Sequence, residues 1–260
     1  MQYITGSSGF LGKHLIARLD KDVVCIPHDK ISTIKLQLFD SFYFLSTYGN
    51  MSFHQEDDKI LQANVIDLIH ILEEVVKHDF KSFVFISTSS VRLRVQTMYS
   101  RTKKAAEEIL LAFMEKHGIP ICIIRPLSIT GVGEQPEHLI PVLIDSCMTG
   151  KLINFVPNSV HDFIDVEDVV DGILSLSDHR ARGIFELGTG KQYTNRQVLE
   201  VVEKVTGKKA NVNLVDHLRS YDNLDWVSLN LKARGYGWLP KKTLEISVKE
   251  MVEAYKQKSE

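Results

Sequence analysis

At 260 residues, with 44% hydrophobic and 25% charged residues, the chain has ordinary globular composition and enough length to bury a full core. The formal net charge is −2, from 31 Lys and Arg against 33 Asp and Glu, and the basic residues are dispersed, so no nucleic-acid partner is expected. No apolar run approaches the roughly 20 residues that span a bilayer, and a strand-like pattern already opens at residue 2, so neither a membrane segment nor a signal peptide is expected.

The first strand is predicted over 2–4 and runs into Thr5-Gly6-Ser7-Ser8-Gly9-Phe10-Leu11-Gly12, followed by an amphipathic helix over 10–19. Glycines spaced G-x-x-G-x-x-G at a strand-to-helix turn suit a phosphate cradle. Gly6 allows the tight turn, Gly9 lets a pyrophosphate approach the backbone, and Gly12 lets helix and strand pack closely. The helix N-terminus adds free N–H groups and a positive dipole end. A second strand over 23–26 ends in Pro27-His28-Asp29-Lys30. Next come a helix over 32–39 and a strand over 42–45. Fifteen residues between Ile26 and Phe42 are too few for the usual crossover, third strand and further helix, so the edge strand 3 is expected to be missing or vestigial.

A helix over 57–77 carries Ile60, Leu61, Val65, Leu68, Ile69, Leu72, Val75 and Val76 on more than one face. It is either sandwiched in the core or buries a face such as Leu68, Ile69, Leu72 and Val76 against a second subunit. A strand over 83–86 ends in Ser87-Thr88-Ser89-Ser90, which places hydroxyls where open α/β sheets bind ligands. The helix over 99–117 opens on Tyr99 and Lys103, which share one helical face at i, i+4. A strand over 121–124 completes the alternation that predicts a doubly wound parallel sheet. Residues 1–126 are expected to form the nucleotide-binding domain, with a segment near 160–190 returning to it. The irregular, Gly- and Pro-containing region 127–260 is expected to form mainly a small substrate-binding lobe. Cys25, Cys122 and Cys147 are far apart; Cys25 and Cys122 lie in apolar runs and read as buried thiols of a reducing compartment, the cytoplasm. No Cys-x-x-Cys or clustered His suggests a metal.

These blocks together resemble the extended short-chain dehydrogenase/reductase family, in its NAD-dependent, nucleotide-sugar epimerase/dehydratase branch. The resemblance covers nearly the whole chain. It extends through Leu45-Ser46-Thr47, Asn64-Val65, Arg125-Pro126, His161-Asp162-Phe163-Ile164-Asp165, Phe185-Glu186-Leu187-Gly188 and Gly237-Trp238-Leu239-Pro240. It implies a Rossmann fold, hydride transfer with NAD or NADP, and a nucleoside-diphosphate sugar as substrate, in a homodimer built on a four-helix bundle.

By position, the resemblance implies Tyr99 as general acid/base, Lys103 as its activator and Thr88 as the hydroxyl on the reacting oxygen, with Ser87 and Ser89 as rivals. It implies Gly6, Gly9, Phe10, Leu11 and Gly12 as the pyrophosphate loop. Leu45, Ser46 and Tyr48 would line the cofactor, and Pro126 and Leu127 would lie by the nicotinamide. Ser128, His161 and Arg219 fall at the substrate. A free phenol titrates near 10, and one ammonium about 4 Å away at an effective dielectric near 20 brings it to about 7. Asp29 at the end of the second strand would favour NAD, whereas His28 and Lys30 would favour a 2′-phosphate, so the cofactor stays open.

The chain also departs from the family. Thr88 and Tyr99 are eleven residues apart, about half the usual spacing. Ser128 stands for an Asn and His161 for an Arg, while Ser89-Ser90 stand where dehydratases carry Asp-Glu. These features favour a 4-epimerase or 4-ketoreductase over a 4,6-dehydratase. A small-ketone reductase without a nucleotide substrate and a non-catalytic dinucleotide sensor are the alternatives.

Overall fold

The structure is a computed structural model and describes residues 1–19, 22–51, 53–216, 226–228 and 230–259. In chain order, β1 (Gln2–Thr5), α1 (Phe10–Arg18), β2 (Val23–Ile26), β3 (Ser41–Phe44), α2 (Asp57–Leu61), α3 (Asp67–Val75), β4 (Ser82–Ile86), α4 (Met98–His117) and β5 (Ile121–Pro126) come first. They are followed by β6 (Ser128–Thr130), α5 (Leu139–Thr149), β7 (Ile153–Phe155), β8 (Val160–His161), β9 (Phe163–Asp165), α6 (Val166–Asp178) and β10 (Gly183–Leu187). The chain closes with β11 (Tyr193–Thr194), α7 (Asn195–Thr206), β12 (Val212–Leu214), α8 (Leu231–Arg234) and α9 (Leu244–Ser259).

One compact unit comprises Met1–Pro126, Val170–Glu186 and Lys232–Trp238. It holds a central parallel sheet of six strands in the order β10-β5-β4-β3-β1-β2. The strand order reverses beside β1, so the C-terminal ends of β1 and β3 flank the crevice where such sheets bind nucleotides. Every residue of β3 and β4 is buried, which explains their unbroken apolar runs: a strand covered on both faces has no polar side to show. Phe42 stacks on Phe83 with ring centroids 5.2 Å apart, and Leu68, Ile71, Leu72 and Val75 of α3 with Ala106 and Leu110 of α4 complete the same core.

Three expectations are corrected in this unit. Residues 32–39 are not a helix. His28–Thr33 forms a 3₁₀ turn, and the chain then extends, because the run of Ile31, Ser32, Thr33 and Ile34 disfavours a helix while Ile31, Leu36 and Phe39 are drawn into the core. Cys25 is exposed rather than buried: β2 is the outermost strand, paired only with β1, and Val24 beside it is exposed too. The short connection from β2 to β3 thus leaves the sheet without a third edge strand, as expected. The helix over 57–77 is broken into α2 and α3 by a π-helical segment, Gln62–Ile66. Leu68 and Leu72 are fully buried in the chain's own core and cannot form an outer face; the break turns Leu61 and Ile66 outward instead.

The second unit comprises Leu127–Val169, Leu187–Leu231 and Leu239–Glu260 among the described residues. Its core is helical: Ile140, Leu143 and Ile144 of α5 pack with Val198 and Val202 of α7 and Val248 and Val252 of α9. Three short strand pairs, β6–β9, β7–β12 and β8–β11, surround it. Among the described residues, no helix is long and apolar enough to cross a membrane.

Candidate active site

The glycine turn is built as its spacing predicts. Gly6 has φ +69°, and a Cβ there would lie 2.7 Å from the backbone of Leu45 and Ser46. A Cβ on Gly12 would lie 2.2 Å from the Gly6 carbonyl oxygen. Both positions are therefore closed to any side chain, and the loop backbone stays bare. Gly9 is the N-cap of α1 and no side chain caps that end, so the first-turn N–H groups of Phe10, Leu11 and Gly12 suit an anion. Thr5 fixes the neighbouring crossover: its Oγ1 accepts from the N–H groups of Leu45 and Ser46, each at 3.2 Å.

At the end of β2, Asp29 is exposed and pairs with Lys30 at 3.8 Å. His28 Nδ1 lies 2.9 Å from Oδ2 of Asp67, a buried carboxylate whose Oδ1 accepts from Gln62 Nε2 at 2.7 Å.

Tyr99 opens α4 in its first turn, where Thr97 caps the helix by accepting from Ser100 N–H at 3.2 Å. Burial pushes the Tyr99 phenol above its ordinary value, while hydrogen bonds to the side chains of Thr47 and Thr88 pull it back down. Thr88 itself accepts from Ser90 N–H at 3.1 Å and starts the 3₁₀ turn Ser89–Arg92, which, with the Thr97 cap, absorbs the short connection to α4. Of the three candidate hydroxyls at the end of β4, Thr88 is thus the one brought to Tyr99, alongside Thr47. Its rival Ser87 points away and donates to Glu107 Oε1, and Ser89 is buried.

Lys103 is 1% exposed, its ammonium lies 4.1 Å from the centroid of the Phe85 ring, and its Nζ has no hydrogen-bond partner. Burial brings it down to about 7 against the raising field of Glu107. The groups pulling the phenol down in the free chain are Thr47 and Thr88, and Lys103 is itself a perturbed titrating group. A bare glycine cradle and an orphaned, buried ammonium on the same unit fit a dinucleotide with ribose hydroxyls to offer.

Three residues of this site had no role assigned from the sequence: Thr47 and Asn64, which lie in blocks that carry the resemblance, and Glu107. Asn64 lies within the π-helical segment and is fully buried. Its Oδ1 accepts from Thr47 Oγ1 at 3.0 Å and Tyr48 N–H at 3.1 Å, and its Nδ2 donates to Tyr48 O at 2.9 Å and Thr102 Oγ1 at 3.0 Å. Thr102 Oγ1 in turn donates to the Tyr99 carbonyl at 2.9 Å. One side chain thereby joins the loop carrying Thr47 to the turn carrying Tyr99, with all its hydrogen-bonding capacity used. The Asn64-Val65 block of the resemblance was the available signal. Tyr48 stacks on His54 at 4.2 Å and donates to Glu56 at 2.8 Å.

Pro126 closes β5 and is buried. In the second unit Leu127 is buried, and Ser128 Oγ and His161 Nδ1 meet at 3.2 Å, with Trp226 beside the His161 ring at 5.7 Å. Arg219 lies outside the described residues. A cavity of about 670 Å³ in this unit, bounded by Gly131, Pro141, Met251 and Tyr255, is lined by neither Ser128 nor His161.

The chain is 24% identical to an uncharacterised UDP-glucose epimerase, YtcB, of Bacillus subtilis, over 87% of this chain and 89% of that one. It is also 24% identical to a UDP-glucuronate 4-epimerase of Thermodesulfobacterium geofontis, over 77% of this chain and 67% of that one. Among solved structures, MoeE5 in complex with UDP-glucose and NAD superposes with a TM-score of 0.87 at 20% identity, covering 100% of this chain and 99% of that one, a likeness of fold. The model of the NAD dependent epimerase/dehydratase family matches residues 39–188, more than half of the chain, and the chain belongs to that family.

Proposed function

We propose that the chain is a 4-epimerase of a nucleoside-diphosphate sugar, with UDP-sugars the first to test, in which Tyr99 moves the proton of the C4 hydroxyl. The observation that carries this reading is the Tyr99 hydroxyl facing Thr88 and Thr47 on the helix that also carries the unpartnered Lys103. NAD, when bound, supplies the hydride chemistry. Thr88 holds the reacting oxygen, Tyr99 accepts its proton and later returns it, and Lys103 binds ribose hydroxyls and favours the phenolate as it forms. Asn64 fixes the angle between these groups. The names of the relatives support a UDP-linked sugar.

NAD is the better fit than NADP. Both basic residues at the end of β2 already lie against carboxylates, His28 against Asp67 and Lys30 against Asp29, so a doubly charged 2′-phosphate would meet those carboxylates there. The nucleotide carried through purification checks this: NAD is expected, and NADPH would favour the ketoreductase.

The decisive test is Tyr99→Phe. Turnover on a panel of UDP-sugars is expected to fall by about 10²–10⁴ with NAD affinity retained. Near-normal turnover would overturn the mechanism.

A further inference from the structure

Lys103 is an ammonium in an apolar slot, and the described residues give it no hydrogen-bond acceptor. Left there alone it would shed its proton, because burial disfavours the charged form. One helical turn further along α4 lies Glu107, 1% exposed and so equally desolvated. Its carboxylate is held on three sides. Arg125 of β5 grips it with two guanidinium nitrogens, Nε donating to Oε1 at 2.9 Å and a terminal nitrogen to Oε2, and Ser87 at the tip of β4 donates to Oε1. A bidentate arginine fork plus a hydroxyl fixes a carboxylate in both place and charge.

The charges around Lys103 are few. On its own helix they are Glu107, whose field acts on it, and the titrating Tyr99. From β4 it meets Phe85, while Ser87 carries no charge. From β5, Arg125 is engaged with Glu107, and Glu108 and Glu186 also act on that guanidinium. An Arg–Glu pair alone adds little net stability when buried, since desolvating both ions offsets their attraction. Its position beside an orphaned ammonium gives it another use.

We propose that Glu107 is a positioning residue that keeps the Lys103 ammonium charged in its apolar slot, with Ser87 and Arg125 setting how much of its negative charge Lys103 feels. The inference rests on the reading of Lys103 as part of the active site, but its test does not need turnover. Lysine side chains labelled with ¹³C at Cε are followed by NMR against pH in the full chain without nucleotide, with Lys103→Met assigning the Lys103 signal. Glu107→Gln is expected to lower the Lys103 midpoint by about one pH unit or more, a tenfold loss of charged fraction. Arg125→Met exposes Lys103 to the unshared carboxylate and is expected to raise the midpoint. Shifts of opposite sign are the signature, because a merely structural pair would weaken the fold in both variants and move the midpoint in neither. An unchanged midpoint in folded Glu107→Gln, or a shift of the same sign in both, overturns the proposal. If neither variant folds, the wild-type midpoint decides: a value near or above 7 supports a charge held from outside, and one below about 6 refutes it. Turnover separates the two readings. A shifted midpoint with unaltered turnover counts against Lys103 as a catalytic group, whereas lost turnover with an unmoved midpoint counts against Glu107 as its counter-charge.

Discussion

Lys103 costs the free protein stability, and the size of that cost is open to measurement. In the unfolded chain it titrates near 10.5, and in the folded chain at about 7. At pH 7 this difference corresponds to about 4 kcal/mol against folding, at 1.36 kcal/mol per pH unit with half the folded molecules already charged. Lys103→Met keeps most of the side-chain volume and removes the charge. It also removes the attraction of the ammonium to the Phe85 ring, worth about 1 kcal/mol. A net gain of about 3 kcal/mol is therefore expected in urea unfolding of the nucleotide-free protein at pH 7. The pH dependence carries the sharper test. The folded value lies below the unfolded one, so between about 7 and 10.5 the unfolded chain binds a proton that the folded chain refuses. Wild-type stability falls as pH drops through that window and Lys103 adds no further slope below it. Replacing Lys103 removes this component, so the advantage of the Met variant should shrink steadily from pH 7 towards pH 10.5. Turnover should fall by at least about 10² in the same variant. A variant no more stable than wild type at pH 7, or one whose advantage does not change with pH, would refute the reasoning.

Gly12→Ala forces a Cβ to within 2.2 Å of the Gly6 carbonyl, so α1 must move off β1; NAD affinity measured by fluorescence should drop at least about tenfold. Asn64→Ala strands Thr47, Tyr48 and Thr102 together; a loss of about 2–4 kcal/mol in unfolding is expected, with kcat falling more than KM rises. If the chain pairs through this segment, the exposed Leu61 and Ile66, and not the buried Leu68 and Leu72, are the residues available to a second subunit. Light scattering should give a mass near two chains of 29.6 kDa for the wild type and near one chain for Leu61→Lys, Ile66→Lys.

What was legible in the sequence is what local spacing dictates. Gly6 and Gly12 lie within one turn of chain, and their close approaches follow from the strand-to-helix geometry itself. Tyr99 and Lys103 share a face because helices repeat every 3.6 residues. The buried strands showed as unbroken apolar runs. What stayed hidden depends on partners distant in sequence. Nothing near Cys25 says that β2 is an outer strand. The apolar stripe of residues 57–77 reads as one helix until the π-helical segment shifts its phase, which exchanges Leu68 and Leu72 for Leu61 and Ile66 on the outer face. Asn64 and Glu107 are ordinary helix residues in the sequence. They gain roles only when β3 brings Thr47 to one and β5 brings Arg125 to the other.

Among the buried side-chain atoms of the first unit without a hydrogen-bond partner, which include Gln2 Oε1, His54 Nδ1, His70 Nδ1 and Ser82 Oγ, Lys103 Nζ is the one a helical turn from Tyr99. Folded proteins satisfy nearly all buried polar groups, so an exception needs a cause. Asn64 uses both amide hydrogens and both lone pairs, and Glu107 accepts three hydrogen bonds. Between these two saturated residues, on the same helix as Glu107, Lys103 has none. A lysine kept for structure would be paired or replaced by an apolar residue of similar size, since either choice is more stable. On the proposed reading, its slot, held in shape by fully satisfied neighbours, is where a bound molecule would supply hydrogen-bond acceptors. The i, i+4 spacing from Tyr99 then decides which side of that molecule meets the phenol. The same residue that weakens the free fold is thus the one that should gain most on binding, so the stability increment from saturating NAD should be smaller in Lys103→Met than in the wild type. Thermal shifts of the two proteins across a nucleotide titration measure this difference, and equal shifts would show that Lys103 makes no contact with the cofactor.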